Sequence, residues 1–517
     1  MTSSSLDAAR PEPAALPADD ASTPQFRPAI HYTARNTWLN DPNGLVWYQG
    51  LYHLFYQNNP FDNVWGNMSW GHATSPDLIH WTEQPVAIAC DEDEDVFSGS
   101  IVVDHGNTSG LGTLEEPALV AVYTSAFKEG SLHHGTQAQS LAFSSDGGLT
   151  WSKYAGNPVL GRNSAHFRDP KVFRYQGPAG SCWIMVAVEA QHQQVVLYRS
   201  ANLLDWDYLS TFGPANAGGG EWECPDLFPL SVDGDPATIK WVLVVNINPG
   251  AVAGGSGGQY FVGNFDGVHF TADSDSLVPT GADGTVALSD CLWLDWGRDY
   301  YAAVSFSNVP ENRRIMIGWM NNWDYANSLP TSPWRSGMSL AREVELATVD
   351  GLPRLVQRPV LPLGCGKPAY IVQDVELHSF LKLPDAVPGT AQLIDAEILP
   401  GTSRTVSFRL LGGSGGSTAT VLSFDTVTNQ LTLDRHNSGN TAFHEKFASA
   451  ESAPVKLDDG ALHLRIVVDQ CSVEVFAQRG RVVLSDLVFP APGNVSTDVR
   501  AEGGVATVRK LTVAALA

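Results

Sequence analysis

The sequence is poor in positive charge and has no long apolar run. Only 31 of its 517 residues are Lys or Arg, against 55 Asp or Glu, and the formal net charge is −24. Such a surface repels nucleic acid and anionic membranes. No stretch of about 18 apolar residues occurs, so no membrane-spanning helix is predicted. We therefore expect no nucleic acid and no membrane as partners, and a neutral ligand suits the charge better.

Closely spaced cysteines are also missing. The six cysteines are far apart, and none forms a Cys-x-x-Cys pair. A zinc ribbon or a redox motif is therefore not expected, and we predict no metal and no other cofactor. Cysteine is too rare here for a disulfide scaffold, which favours buried free thiols.

The beginning of the chain lacks the basic start and apolar run of an export signal. Residues 1–27 are rich in Ala, Pro, Ser and Asp, which predicts a disordered tail. A cytoplasmic protein and an exported chain whose signal has been removed would both look like this, so the location stays open at this point.

Helical periodicity is scarce, and up to about residue 358 short apolar runs alternate with Gly, Asn, Asp and Pro clusters, which predicts buried strands. A polar turn followed by an aromatic residue recurs at intervals of 55 to 70 residues. The aromatic residues are Trp81, Trp151, Trp206 and Phe270. This spacing suits a unit of four strands, and about 330 residues in units of about 65 predict a five-bladed β-propeller over residues 28–358. An ordinary β-sandwich is the alternative.

The remainder of the chain has a different pattern. After a Pro- and Gly-containing linker at 359–368, segments such as 405–410 and 462–468 alternate between apolar and polar residues. This period of two is typical of half-exposed antiparallel strands. Residues 369–517 are therefore predicted to form a smaller β-sandwich, and the whole chain is predicted to be all-β.

Three acidic motifs in the first domain are candidates for chemistry: 38–44 (WLNDPNG), 167–170 (FRDP) and 221–226 (EWECPD). Taken singly, Asp-Pro-Asn-Gly is typical of a tight turn, and Arg-Asp before Pro is typical of an ion pair. The Trp and Asn before Asp41 are, however, typical of a sugar site. Because the inner strands of all blades face one axis, motifs from different blades can meet there.

Together with 65–73 (WGNMSWGHA) and 97–100 (FSGS), these motifs resemble the β-fructofuranosidases of glycoside hydrolase family 32, the invertases, inulinases and levanases. The resemblance implies a propeller followed by a sandwich, and a secreted-type enzyme that releases terminal fructose from levan, inulin or sucrose. It implies Asp41 as nucleophile, Glu223 as acid/base and Asp169 as transition-state stabiliser. The residues implied to surround the terminal sugar are Asn40, Gln57, Trp65, Phe97, Ser98, Arg168 and Trp319.

The chemistry of retention explains why paired carboxylates are needed. One carboxylate attacks the anomeric carbon and a protonated carboxyl group, about 5 to 5.5 Å away, donates to the leaving oxygen. Two anionic neighbours would favour the protonated form of Glu223. Glu221 competes for this role, since residues two apart in a strand face the same side. Asp295, Asp299 and Tyr301 resemble a pocket-edge motif, although the segment is equally typical of a polar turn.

Two other functions remain open at this stage. A fructosyltransferase would use the same three carboxylates with a sugar as acceptor in place of water. A non-catalytic fructan-binding protein could use the sandwich as its binding module, although a binder has no need of an acid paired with a nucleophile. Linkage preference depends on loops whose shapes cannot be derived from sequence, and oligomeric state is not indicated.

Overall fold

The structure, a computed structural model, describes residues 26–178, 180–361, 368–413 and 415–516. Within these ranges the chain forms 34 β-strands and six 3₁₀ helices of three residues each, which confirms the all-β prediction. The 3₁₀ helices are Ala190–His192, Ser274–Ser276, Leu288–Asp290, Pro310–Asn312, Ala326–Ser328 and Gln478–Gly480. Among those residues, no helix has the length and apolar character needed to span a membrane.

The first part of the chain consists of five successive antiparallel sheets, which we call blades 1 to 5. Blade 1 contains β1 (Trp38–Tyr48), β2 (Leu51–Asn59), β3 (Ser69–Ser75) and β4 (Thr82–Ile88). Blade 2 contains β5 (Glu94–Val103), β6 (Leu119–Phe127), β7 (Gln137–Ser144), β8 (Ser152–Lys153) and β9 (Leu160–Ser164). Blade 3 contains β10 (Phe167–Gly177), β11 (Gly180–Glu189), β12 (Gln194–Ser200) and β13 (Asp207–Phe212).

Blades 4 and 5 are joined through one parallel pair, Val232 with Leu346. Blade 4 contains β14 (Glu221–Val232), β15 (Asp235–Asn248), β16 (Gly257–Phe265) and β17 (Phe270–Ala272). Blade 5 contains β18 (Tyr301–Ser305), β19 (Ile315–Met320), β20 (Gly337–Met338), β21 (Arg342–Val349) and β22 (Leu352–Pro359).

The first strands of the five blades surround a common axis. β1 contacts β5, β5 contacts β10, β10 contacts β14, β14 contacts β18, and β18 returns to β1. At the return, the Trp47 amide donates to the Ser307 carbonyl (3.0 Å) and the Ser307 amide donates to the Leu45 carbonyl (2.9 Å). The blades therefore form a closed five-bladed propeller, and its first and last blades meet along β1.

The recurring turn of the sequence is a local anchor within three of the blades. The indole N–H of Trp81, Trp151 or Trp206 donates to the backbone carbonyl three residues earlier, at 3.0 to 3.1 Å. A serine at the end of the preceding strand accepts a backbone N–H in each copy. These serines are Ser75, Ser144 and Ser200. The serine hydroxyl and the tryptophan indole thus each form a hydrogen bond with a backbone group of the turn.

The second part of the chain is a sandwich of two six-stranded sheets, with apolar side chains of both sheets in its core. The first sheet, in spatial order, contains β23 (Tyr370–Leu377), β34 (Ala506–Leu516), β25 (Ala391–Leu399), β30 (Leu462–Asp469), β31 (Ser472–Ala477) and β32 (Val482–Leu487). The second contains β24 (Phe380–Leu383), β33 (Ser496–Glu502), β26 (Thr405–Gly412), β27 (Thr420–Asp425), β28 (Gln430–Asp434) and β29 (Ala450–Pro454).

We retain the domain limits 28–358 and 369–517 as a proposal, because β22 ends at Pro359 and β23 begins at Tyr370. The predicted tail at 1–27 lies outside the described residues except for Phe26 and Arg27, and six residues of the predicted linker, 362–367, lie outside them as well. The five described cysteines are free thiols, three of them buried; Cys365 is outside the described ranges.

Buried ion pairs join the sandwich to blade 5. Arg342 contacts Asp295 at 2.9 Å and Glu474 at 2.7 Å, and all three side chains are inaccessible to solvent. Arg435 contacts Asp299 at 2.6 Å, and both of these side chains are also inaccessible to solvent. Asp295 and Asp299 therefore lie in the domain interface, which corrects the pocket-edge interpretation. Each carboxylate needs its arginine there, because an unpaired charge in such a place is very costly.

The segment before the propeller is attached to the sandwich by His31. Its Nδ1 lies 2.7 Å from Asp469 Oδ2 and its Nε2 lies 2.8 Å from Glu474 Oε1, so both ring nitrogens donate and the imidazole is charged. Burial alone would lower its pKa, but the two carboxylates outweigh burial and raise the pKa of His31 to about 9.

This attachment predicts a pH-dependent stability. His31 is held at a pKa of about 9, whereas an unfolded histidine titrates near 6.5. Its stabilising contribution, up to about 3 kcal/mol, is fully present below pH 6.5 and is lost as the pH rises towards and through 9. We expect the melting temperature to fall between pH 7 and 9.5 in the wild type, and to fall less in His31→Asn. His80→Asn, which removes an exposed histidine beside Asp77, is the control; equal slopes in wild type and His31→Asn would contradict the prediction.

Candidate active site

The site lies where the five inner strands surround the axis, and each strand has a register irregularity there. A β-bulge bends its strand and re-aims a side chain. The residues in or beside the five irregularities include one polar residue of interest from each strand: Asp41, Ser98, Asp169, Glu223 and Tyr301. In β1, β10 and β14 the irregularity includes a proline, which cannot donate to the ladder. The three sequence-predicted carboxylates are thus brought together by one local device in three different blades.

Two short side-chain hydrogen bonds hold Asp41. Asn40 Nδ2 donates to its Oδ1 at 3.0 Å, and Ser98 Oγ donates to its Oδ2 at 2.9 Å. Burial and the nearby Glu223 raise the pKa of Asp41, while the bonds from Asn40 and Ser98 favour its ionised form. The result is a carboxylate of fixed direction whose charge is poorly solvated, as a nucleophile requires.

Asp169 lies next to Asp41, and Cys224 connects the two. Cys224 Sγ is 3.7 Å from Oδ2 of each aspartate, and the Cys224 amide donates to Asp169 Oδ2 at 2.9 Å. The Asp169 backbone has a φ of 61°, and its amide donates to Thr124 Oγ1 at 2.9 Å. Burial raises the pKa of Asp169, and the negative charge of Glu223 adds to this effect. The positive charge of Arg168 opposes the rise but does not cancel it.

The surroundings distinguish Glu223 from Glu221, although both extend from β14 towards Arg168. Glu223 Oε1 accepts from Arg168 Nη2 at 3.0 Å, and its Oε2 accepts from the Tyr301 hydroxyl. Glu221 also contacts Arg168, but its side chain is 36% exposed against 21% for Glu223. Partial burial by itself would raise the pKa of Glu221. The contact with Arg168 outweighs burial and holds this pKa below its ordinary value. Glu221 is therefore poorly suited to donate a proton.

The residues predicted to surround a terminal sugar lie at different depths. Asn40, Gln57 and Ser98 are buried, and Gln57 Nε2 donates to the Val96 carbonyl at 3.0 Å. Trp65 is exposed at the outer edge, where its ring meets the half-buried Phe97 edge to face with centroids 6.3 Å apart.

Trp319 and Arg168 are the remaining two of the predicted set. Trp319 is fully buried, and its indole donates to the Leu39 carbonyl at 3.1 Å, so in this structure it supports β1 from beneath. Arg168 faces Glu221 and Glu223 as described above. Direct contact of these two residues with sugar stays a prediction.

Two residues of the site were not identified from the sequence as such. The sequence predicts Cys224 only as a buried thiol, and it indicates Tyr301 only as part of a segment that resembles a pocket-edge motif. Burial raises the pKa of both groups, so the thiol and the phenol remain protonated donors. The available signal for Cys224 is only its position beside Glu223; its contacts with Asp41 and Asp169 depend on the pairing of β14 with β15.

Comparison with known proteins gives consistent matches along the chain. The model for the glycosyl hydrolases family 32 N-terminal domain matches residues 31–359, and the model for the family 32 C-terminal domain matches residues 370–515. A levanase from Bacillus subtilis is 43% identical over 500 residues, covering 94% of this chain and 70% of the relative. An extracellular exo-inulinase from Aspergillus niger is 39% identical over 505 residues, covering 93% and 92%. The crystal structure of exo-inulinase from Aspergillus awamori superimposes with a TM-score of 0.89 at 37% identity, covering 95% and 98%.

Proposed function

The chain belongs to glycosyl hydrolase family 32, and from this premise we propose that it is a retaining β-fructosidase that hydrolyses terminal β-D-fructofuranosyl residues of levan, inulin or sucrose. The observation that supports the proposal most is the meeting of Asp41, Asp169 and Glu223 on bulges of three different blades. We also propose that it acts outside the cell, as the name of the related Aspergillus niger exo-inulinase states for that enzyme.

In the proposed first step, the Asp41 carboxylate attacks the anomeric carbon of the terminal fructose. Glu223 gives its proton to the oxygen of the departing sugar, the glycosidic bond breaks, and an ester joins the fructosyl group to Asp41. The donors on Asp41, Asn40 and Ser98, keep its oxygens in a fixed direction before attack. This pre-orientation lowers the entropic cost of the step.

In the proposed second step, Glu223 takes a proton from water, which attacks the anomeric carbon and releases fructose from Asp41. The contacts of Glu223 suit this change of role: once it has lost its proton, Arg168 and the Tyr301 hydroxyl stabilise the carboxylate. Asp169 would bind hydroxyls of the fructose, and those bonds strengthen as positive charge develops on the ring.

The products of the reaction test the proposal against both alternatives. With sucrose, an inulin oligosaccharide and a levan oligosaccharide supplied separately, we expect free fructose as the accumulating product and, by NMR during the first minutes, its β-furanose form. Products longer than the substrate at low substrate concentration would instead identify a transferase. Retention of fructan without any release of reducing sugar would identify a binding protein.

A further inference from the structure

The loop between β2 and β3 exposes an unusual amount of apolar surface. Phe61 is 62% exposed, Val64 39% and Trp65 46%. In the described part of the chain, no other stretch of five residues exposes three large apolar side chains. Single exposed apolar residues are ordinary, but a cluster of them marks a contact surface.

This loop is fixed by polar bonds that leave its apolar side chains free. The buried Asn59 accepts from the Phe61 amide at 3.1 Å and donates to the Val64 carbonyl at 2.8 Å. The Trp65 amide donates to Asn327 Oδ1 at 3.2 Å. Because backbone groups and Asn59 hold the loop, the Phe61 side chain is not needed to keep the shape of the loop. A surface that is already ordered before binding loses less conformational entropy when a ligand binds.

The loop also lies at the mouth of the candidate site. The Trp38 amide, three residues before Asp41 on β1, donates to the Asp62 carbonyl at 3.0 Å. Trp65 meets the ring of Phe97, and the next residue, Ser98, bonds Asp41. An apolar surface therefore continues from the carboxylates outward, through Phe97 and Trp65, to the exposed loop.

We propose that Phe61, together with Val64, is a platform for the sugar units that follow the cleaved bond, and that it favours fructans of three or more units over sucrose. The inference rests on the proposed function. When the terminal fructose occupies the buried end of the site, the rest of the chain must leave through the mouth. The apolar face of a sugar ring packs well against an aromatic ring, and neither is charged. In sucrose a single sugar follows the bond, so sucrose offers the platform less surface than a longer chain does.

Phe61→Ala tests this assignment. We measure kcat and KM on sucrose and on inulin and levan oligosaccharides of five fructosyl units. Loss of the aromatic surface is expected to lower kcat/KM about tenfold on at least one oligosaccharide, mainly through KM, and to change it less than twofold on sucrose. Phe61→Tyr keeps the ring and is expected to retain selectivity. Phe380→Ala is the matched control, since Phe380 is equally exposed, at 62%, but lies on β24 of the sandwich.

The outcomes separate this inference from the function on which it rests. If the wild type releases fructose and Phe61→Ala lowers kcat/KM equally on sucrose and oligosaccharides, or on none, the platform is refuted and the proposed function stands. If the wild type releases fructose from none of the three substrates, the proposed function fails and the platform fails with it. Equal effects of Phe61→Ala and Phe380→Ala would also overturn the assignment.

Discussion

Asp41→Asn is expected to lower kcat by about 10⁴-fold or more on sucrose and fructans while the protein remains folded. Asn has nearly the same shape as Asp but cannot form the ester with the anomeric carbon. The substitution also removes a charge that burial and Glu223 disfavour, as the raised pKa of Asp41 indicates. We therefore expect an unchanged or higher melting temperature, because the functional carboxylate is held at a cost in stability.

Ser98→Ala is the control for Asp41→Asn. It removes one donor to Asp41 Oδ2 and leaves the carboxylate in place. Removal of one neutral donor to a charged group is expected to lower kcat roughly tenfold or somewhat more. This decrease is far smaller than the decrease expected when the nucleophile is removed. Steady-state kinetics and thermal unfolding of both variants are the measurements. A kcat of Asp41→Asn within tenfold of the wild type would eliminate Asp41 as nucleophile.

Glu223→Gln is expected to lower kcat about 10³-fold on sucrose, because Gln can neither donate a proton to the leaving oxygen nor accept one from water. Glu221→Gln is the matched control. It makes the same change, Glu to Gln, at a residue that lies two positions earlier on the same strand and also contacts Arg168. We expect Glu221→Gln to lower kcat tenfold or less, since it removes only one charged partner of Arg168.

A second substrate separates the acid role of Glu223 from a general disturbance of the site. A β-fructofuranoside with a leaving group that needs no proton should form the ester with Asp41 nearly normally in Glu223→Gln. A burst of the leaving group followed by slow turnover is therefore expected. If Glu221→Gln shows this behaviour and Glu223→Gln does not, the two glutamates exchange roles.

The sequence was most informative where structure is local. The turns before Trp81, Trp151 and Trp206 could be predicted because the serine, the turn and the indole of each copy lie within eight residues and are joined by hydrogen bonds. Their spacing then led to the five blades. The carboxylates could be assigned roles only through the family resemblance, because each motif alone is typical of an ordinary turn.

Features that depend on two distant segments were not predictable. A bulge is a property of two paired strands, so nothing in β14 alone indicates that Cys224 lies between Asp41 and Asp169. For the same reason the sequence leaves Asp295 and Asp299 open between a pocket-edge motif and a polar turn. Their partners, Arg342 and Arg435, lie 47 and 136 residues further along the chain, and an acidic residue looks the same in sequence whether it faces sugar or arginine.

The strand that bears Asp41 is also the strand on which the propeller closes. β1 meets the segment that follows β18 through backbone hydrogen bonds, which join Leu45 and Trp47 to Ser307. When this seam parts, Asp41 on blade 1 separates from Cys224 on blade 4 and from Tyr301 on blade 5, while each blade keeps its own hydrogen bonds. Enzymatic turnover is therefore an early sensor of ring opening: during gentle denaturation, activity should disappear before the bulk of the β-sheet signal does.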